Sequence, residues 1–598
     1  MKNFREKADL IWQVADLLRG DYKQSDYGKV ILPMTVLRRL DCVLAPTKEK
    51  VLNNLPKVAS LKDNAKDIAL NKIAGFNFHN KSQFDFQKLV ADPNNIAVNL
   101  RNYINGFSAS AREIIEYFSF DDQIDRLDDP RADILFRVVK AFKEIDLSDM
   151  ISMEMGYVFE ELIRRFSEQS NETAGEHFTP REVIRLMVNI LFNEDRKMLT
   201  QEGIVKTLYD PACGTGGMLS VAEDYIKEFN RKAELKVFGQ EINPESYAIC
   251  KSDMLIKGQN PSYIKFGNTF TVDGLEDEKF DYMLSNPPFG VDWKKAEKTI
   301  KTEAEKKGMS GRFGAGLPRI NDGSLLFLQH MISKMKPSGT RIGIVFNGSP
   351  LFTGAAESGE SNIRRWIIEN DWLETIIALP DQLFYNTGIS TYIWVVTNKK
   401  NTERRGRIQL INATGVKDEE LLKEGKLGFN RFWQKMDRSL GNKRKKIAEN
   451  GNEKGIGFIT QLYGNFEENE FVKIYPNEFF GYWRVTVEQP LKENGKVIKT
   501  KGKPKPDTSL RDYENIPFLK KDKDGKLVPQ TIEEYFEREV KPHLPEAWID
   551  ESKTKVGYEI NFTKYFYEFK PLRSLEEIKA DILALEEQNI ESVKTILE

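Results

Sequence analysis

In the first 150 positions apolar residues recur at intervals of three and four, the spacing of one helix face. Ile11, Val14 and Leu18 form one stripe that Gly20 can end, and Val36, Leu37, Leu40 and Leu44 form a second after Pro33. A third runs through ILFRVVKAFKEI at 134–145, and strand signals are scarce. After residue 152, MEMGYVFEELIRRF reads as a helix and SEQSNETAG as a polar loop. A further helix, EVIRLMVNILF, is expected to have Pro180 in its first turn and Thr179 as N-cap. Then the period changes. An apolar run ends at Asp210, and strands are expected at 235–240, 263–266, 280–284, 341–346, 373–379 and 391–397, with a helix at 325–335. This alternation predicts an α/β, doubly wound sheet with helices on both faces. The last two strands, joined without a helix, are expected to run antiparallel.

Beyond residue 400 the pattern is less regular. The lysine-rich stretches 443–446 and 492–507 read as solvated loops, with nucleic-acid contact as the alternative. The tail differs: Ser574 and Glu577 form a capping box, and Leu575, Ile578, Ile582, Leu585, Ile590, Val593 and Leu597 fall on one face of a long helix suited to a partner. Three domains follow: helical 1–150, α/β 151–400, and a C-terminal extension 401–598 ending in that helix. A chain of 598 residues exceeds a single core.

Formal charge is −2, so nucleic-acid affinity has to come from local patches or a partner. The three cysteines form no CxxC, the start lacks a signal-peptide core, and no apolar run reaches the roughly 20 residues that cross a bilayer. A cytoplasmic protein with no membrane partner is expected.

The candidate chemistry sits in two turns. Residues 205–226 read as strand, glycine turn and amphipathic helix, with Gly214, Gly216 and Gly217 at a helix N-terminus where free amide donors gather. The dinucleotide fingerprint fails because Leu219 replaces its third glycine, and no Lys-Ser/Thr follows to make a P-loop. DPACGTGG, from Asp210 to Gly217, instead resembles the first motif of S-adenosylmethionine-dependent methyltransferases, where the acid can hold the methionine ammonium. Glu241, 24 residues past Gly217, can accept from the ribose hydroxyls of any adenosine cofactor. The second turn is Asn286-Pro287-Pro288-Phe289, after the strand 280–284. A fixed Asn286 amide oxygen and Pro287 carbonyl can accept both hydrogens of an exocyclic amine, while Phe289 lies against its ring. Methylation of cytosine at carbon 5 needs a thiolate, typically in a Pro-Cys pair, and the chain has none. No cluster of metal ligands surrounds His177.

Asn-Pro-Pro-Phe is similar to the signature of adenine N6 methyltransferases, and the order GEHFTPR, DPACGTGG, NPPF is that of the gamma class. IWQVADLLRGDY, LPMTVLRRLD, VFEELIRRFSEQSNETAGEHFTPREVIRLM, LPDQLFYNTGISTYIWVV and the C-terminal YEINFTKYFYEFKPLRSLEEIKADILALE resemble the modification subunit of type I restriction-modification systems. The resemblance implies a Rossmann-like methyltransferase domain acting on duplex DNA with a flipped adenine, alongside a specificity subunit, a restriction subunit and a second copy of itself. It implies that Glu176, His177, Phe178, Thr179, Pro180 and Arg181 close over the cofactor, and that Gly214, Thr215, Gly216, Gly217 and Glu241 contact it. Asn268 stands where such enzymes often carry an acid near the cofactor's adenine. The alternatives are a stand-alone methyltransferase with recognition in 401–598, an enzyme acting on RNA or protein glutamine, and a non-catalytic scaffold.

Overall fold

A computed structural model describes the chain apart from residues 1–2, 130–131, 171–178, 386, 416–430, 450–453, 501, 568–573 and 598. Its centre is a nine-stranded sheet built from β1 (Val205–Asp210), β2 (Glu234–Glu241), β3 (Ile264–Phe266), β4 (Tyr282–Ser285), β5 (Arg341–Phe346), β6 (Leu373–Ala378), β7 (Tyr392–Thr397), β8 (Arg407–Asn412) and, after the hairpin β9 (Trp433–Leu440) and β10 (Lys443–Ile447), β11 (Val472–Pro476). The spatial order is β11-β8-β6-β7-β5-β4-β1-β2-β3. All neighbours are parallel except β7, antiparallel to both β5 and β6, and β11, antiparallel to β8. The expected antiparallel relation of 373–379 and 391–397 holds, although β7 lies inside the sheet. Two further strands, β8 and β11, extend the sheet past residue 400.

Strand order reverses between β1 and β4, which are parallel neighbours with Leu208 opposite Tyr282 and Tyr209 opposite Met283. Their carboxyl ends carry the glycine turn and the Asn-Pro-Pro-Phe turn. That is the switch point at which open α/β sheets hold ligands.

The N-terminal helices close around their own apolar core, into which Ala248, Ile249 and Leu255 of the helix Pro244–Ile256 also project. Lys251 pairs with Glu113 at 3.0 Å, and Tyr117 meets Tyr247 edge-on at 4.6 Å. One expectation fails here: the helix runs Gly28–Leu44 with Pro33 inside it. The proline costs a helical hydrogen bond, and burial of Ile31, Leu32, Met34 and Leu37 along the same helix offsets it. The helix Ser152–Ser170 likewise extends into the expected polar loop.

The expectation of loops at 443–446 is also overturned. Lys443 opens β10 and is buried, with its ammonium on Glu182 Oε1 and on the Leu383 carbonyl at 2.8 Å, while Lys445 lies 4.2 Å over the Trp433 ring. A buried lysine needs such a partner, and this one comes from 261 residues away. After β11 the strand β12 (Gly481–Glu488) pairs with Asp512–Pro517, Trp548–Ile549 and Lys555–Tyr558 around a core of Val485, Val487, Ile516, Phe536, Val540 and Ala547. The lysine-rich 492–507 forms tight hairpins rather than loops.

Residues 1–560 make one compact unit and 561–598 a second. The second unit holds the helix Leu575–Leu597, which carries the expected capping box: Glu577 N–H donates to Ser574 Oγ at 3.2 Å, and Ser574 N–H to Glu577 Oε2 at 2.9 Å. Leu575, Ile578, Ile582 and Leu585 are exposed on it. The side chains of Ile590, Val593 and Leu597 lie outside the described residues. No helix among the described residues is long and apolar enough to cross a membrane.

Candidate active site

The glycine turn is held from beneath. Cys213 N–H donates to the Gln240 carbonyl at 3.0 Å, and Gly216 N–H to the Cys213 carbonyl at 2.8 Å. Gly214 and Gly216 take φ of 53° and 84°, the left-handed region that glycine enters freely. Gly214 N–H donates to Glu241 Oε2 at 2.8 Å, and Asn243 N–H to Glu241 Oε1 at 2.7 Å, so the carboxylate is fixed at the end of β2.

Asp210, at the end of β1, is 1% exposed. Its Oδ1 accepts from Ala212 N–H at 3.0 Å and from Ser285 Oγ–H at 2.9 Å, tying the two turns together. Burial pushes the carboxyl up to about 7 against the pull of those two donors, and the charge of Glu241 pushes the same way. The Cys213 thiol is held well above its ordinary value, by its hydrogen bond with Cys250 and by burial, so it stays a thiol.

A cavity of about 440 Å³ opens over these ends. Asp210, Gly214, Thr215, Gly217, Glu241, Asn268, Thr179, Asn286 and Pro288 line it. Among the described residues four acidic side chains face it, from Glu160, Asp210, Glu241 and Asp292, against one cation, Lys295. Such a wall favours a cationic ligand and disfavours a polyphosphate. Asn268 Oδ1 caps its own loop, accepting from Phe270 N–H at 2.8 Å, and Gln240 holds that loop through the Val272 carbonyl at 2.6 Å.

Among the described polar side chains of the wall, Asn286 stands apart. Its Oδ1 is buried without a hydrogen-bond partner. An orphaned buried acceptor costs about 1–3 kcal/mol. A ligand N–H at that position would recover it.

Other expected site residues fall elsewhere. Pro287 and Phe289 stand outside the cavity wall, Pro287 buried and Phe289 half-buried against the central core. Gly216 also lies outside it: a Cβ there would meet Cys250 Sγ at 2.8 Å, behind the turn. Thr179 reaches the cavity but caps nothing, because the helix is Arg181–Asn193 and Pro180, with ψ of 136°, takes the N-cap place without a side-chain bond. Arg181 turns inward. It donates to Glu160 at 2.6 Å and to the Gly217 carbonyl at 3.1 Å, and is 4% exposed. Glu176, His177 and Phe178 lie outside the described residues.

Residues 152–449 match the family model of N-6 DNA methylases, and residues 8–142 that of the HsdM N-terminal domain. The chain belongs to the N-6 DNA methylase family. It is 25% identical over 431 residues to the type I restriction enzyme MjaIX methylase subunit of Methanocaldococcus jannaschii, covering 68% of this chain and 72% of that one. To the type I restriction enzyme HindI methylase subunit of Haemophilus influenzae it is 29% identical over 265 residues, 44% of this chain and 54% of that one. The crystallised type I restriction-modification system methyltransferase subunit from Streptococcus thermophilus shares the fold, with a TM-score of 0.59 at 22% identity over 80% of this chain and 97% of that one.

Within this N-6 DNA methylase, sequence reasoning missed two parts of the wall. Glu160 enters from the helix Ser152–Ser170, where nothing local marks it; only its pairing with Arg181 reveals the role, and burial raises its carboxyl against that partner. The second is the segment after the Asn-Pro-Pro-Phe turn. Trp293 and Ala296 reach the cavity from a small core with Phe270, Ile300, Phe313 and Leu326. Arg312 clamps that core, donating to the Thr269 and Phe270 carbonyls at 2.9 Å and to Glu303 at 2.7 Å. The available signal was Trp293, four residues past Phe289 and the one aromatic between it and Phe313.

Proposed function

We propose that this N-6 DNA methylase transfers a methyl group from S-adenosylmethionine to N6 of an adenine flipped out of duplex DNA, as the modification subunit of a type I complex. The observation that carries the reading is the unpartnered Asn286 Oδ1 beside a carboxylate-lined cavity at the switch point. S-adenosylmethionine, which is cationic at both its sulfonium and its ammonium, would supply an electrophilic methyl there. Glu241 is fixed to accept from ribose hydroxyls, and Asp210 and Glu160 offer carboxylates to the ammonium end.

Asn286 Oδ1, which faces the cavity, accepts one hydrogen of the adenine amine, and the Pro287 carbonyl accepts the second once the turn shifts to bring it into the wall. Those bonds would draw the nitrogen toward tetrahedral geometry and free its lone pair for in-line attack on the methyl, whose bond to sulfur breaks with the electron pair kept by the departing thioether. Positioning and fixed dipoles carry the step, and the proton leaves after the bond forms. Phe289 stacks on the extruded base, which offsets part of the few kcal/mol that flipping costs. For that, the half-buried ring has to swing out from the core on substrate binding.

The proposed partners are a specificity subunit that chooses the sequence, a restriction subunit and a second copy of the chain, in the cytoplasm. Asn286→Ala and Phe289→Ala are expected to abolish transfer while leaving the calorimetric affinity for S-adenosylmethionine within about twofold of the parent, under about 0.5 kcal/mol. Either variant methylating adenine at the parental rate would defeat the mechanism.

A further inference from the structure

A lysine-rich surface lies outside both matched family regions. Residues 490–506 hold six lysines and one acid, Glu493, in a chain whose formal charge is −2. Apart from Lys501, which lies outside the described residues, they form two successive hairpins, Lys492–Glu493 with Lys496–Val497 and Lys499–Thr500 with Lys503–Pro504. Asn494 and Gly495, at φ of 48° and 77°, make the first tight turn.

Backbone bonds lock the pair into one finger. Leu491 N–H donates to the Lys505 carbonyl at 2.8 Å, Ile498 N–H to the Leu491 carbonyl at 2.9 Å, Lys505 N–H to the Ile498 carbonyl at 2.8 Å, and Asp507 N–H to the Gln489 carbonyl at 2.8 Å. Leu491, Val497 and Ile498 are half-buried, whereas Lys496, Lys499, Lys503 and Lys505 are exposed. Lys492 is tied to Glu546. Among the described residues no carboxylate lies within ion-pair distance of the other four. Glu493 stands opposite Lys496 in the first hairpin, and from 496 to 505 no acid interrupts the lysines, whereas a surface serving solubility alone interleaves both signs.

The lobe that carries the finger is moored at the catalytic edge of the sheet. Ile560 N–H donates to the Leu351 carbonyl at 2.8 Å, and the fully buried Arg364 bridges the Tyr558 carbonyl at 2.6 Å and the Pro350 carbonyl at 3.0 Å. Pro350 and Leu351 follow β5, the strand beside β4, at the same carboxyl ends that present Asn286. Tyr558 pairs with Gly481 at the start of β12, and the finger leaves after Glu488 at its end. One strand of eight residues therefore separates mooring from finger, a reach of roughly 25 Å at about 3.3 Å per residue.

We infer that the finger at 490–506 is a second DNA-contact surface, on which Lys496, Lys499, Lys503 and Lys505 neutralise backbone phosphates of the duplex flanking the target adenine. It rests on the reading of the chain as a DNA methylase. With one phosphate per 3.4 Å of each strand, the reach corresponds to roughly seven base pairs beyond the mooring. The contact is to phosphates, so it adds affinity without sequence choice. Because the hairpins are already ordered, little entropy is lost in docking them.

The test uses the full-length chain and its variant with all four lysines changed to Gln, titrated by anisotropy on duplexes of about 12 and about 40 base pairs over a salt series. On the long duplex the variant is expected to bind about tenfold more weakly at low salt, and the slope of log K against log salt to flatten by about 3–4, at 0.9 per lost contact. On the short duplex the two proteins are expected to differ little. Calorimetric affinity for S-adenosylmethionine and the melting temperature are expected to be unchanged, because the finger lies apart from the cavity. Equal slopes for the folded variant and the parent overturn the inference, as does a parent that binds neither duplex; a finger that engages an acidic protein surface gives the first result. Methyl transfer to adenine by the parent in complex with a specificity subunit is scored separately, and its absence would overturn the enzymatic reading itself.

Discussion

Asp210 makes the electrostatics of the site measurable. Its folded-state value of about 7 lies above the ordinary 3.8, so between those limits the folded chain keeps a proton that the unfolded chain has lost. Stability contributed by this group is therefore present below the lower limit and declines as pH rises through about 7. A cationic ligand beside it favours the carboxylate and expels that proton. Affinity for S-adenosylmethionine is thus expected to rise as pH approaches 7 and to level off above it, with proton release seen as a buffer-dependent binding enthalpy. Asp210→Asn should lose most of that slope, leaving the part due to Glu160; a variant with the parental pH profile would place the cation elsewhere. Asp210, Glu241 and Asn286 were legible in the sequence because each directly ends a strand or begins the turn after it. Glu160 and Lys443 were not, since the partners that give them meaning, Arg181 and Glu182, stand 21 and 261 residues away.

At the scale of elements, the strand, turn and helix from β1 to Gly217–Phe229 formed where the pattern placed them, because three glycines between two apolar periods admit few other conformations. What the pattern could not show was which way Gly216 faces. Its Cα hydrogen points to Cys250 on the neighbouring helix, not to the cavity. Gly216→Val is therefore expected to act by moving the turn: the left-handed backbone costs about 1–2 kcal/mol before the clash with the thiol is added. A lower melting temperature together with at least about a tenfold loss of affinity, 1.4 kcal/mol, is predicted by calorimetry. A stable variant that binds normally would show that the turn does not hold the cofactor. The strands β8 and β11 went unread because their register depends on β6 and on each other rather than on their own short runs.

At the scale of the whole molecule, the division at residue 560 sets apart a unit whose helix exposes Leu575, Ile578, Ile582 and Leu585. Deleting 574–598 is expected to remove co-purification with a specificity subunit by at least about tenfold while the cofactor affinity of the remainder stays at the parental value. Undiminished co-purification would move the partner contact into 1–560. The measurement that bears most directly on the account is the fate of the methyl group. Labelled S-adenosylmethionine, duplex DNA and the full chain with a specificity subunit are incubated, and the DNA is digested to nucleosides. The expected product is N6-methyladenine alone, absent with Asn286→Ala; label in cytosine or in protein, or equal adenine labelling by that variant, would contradict it.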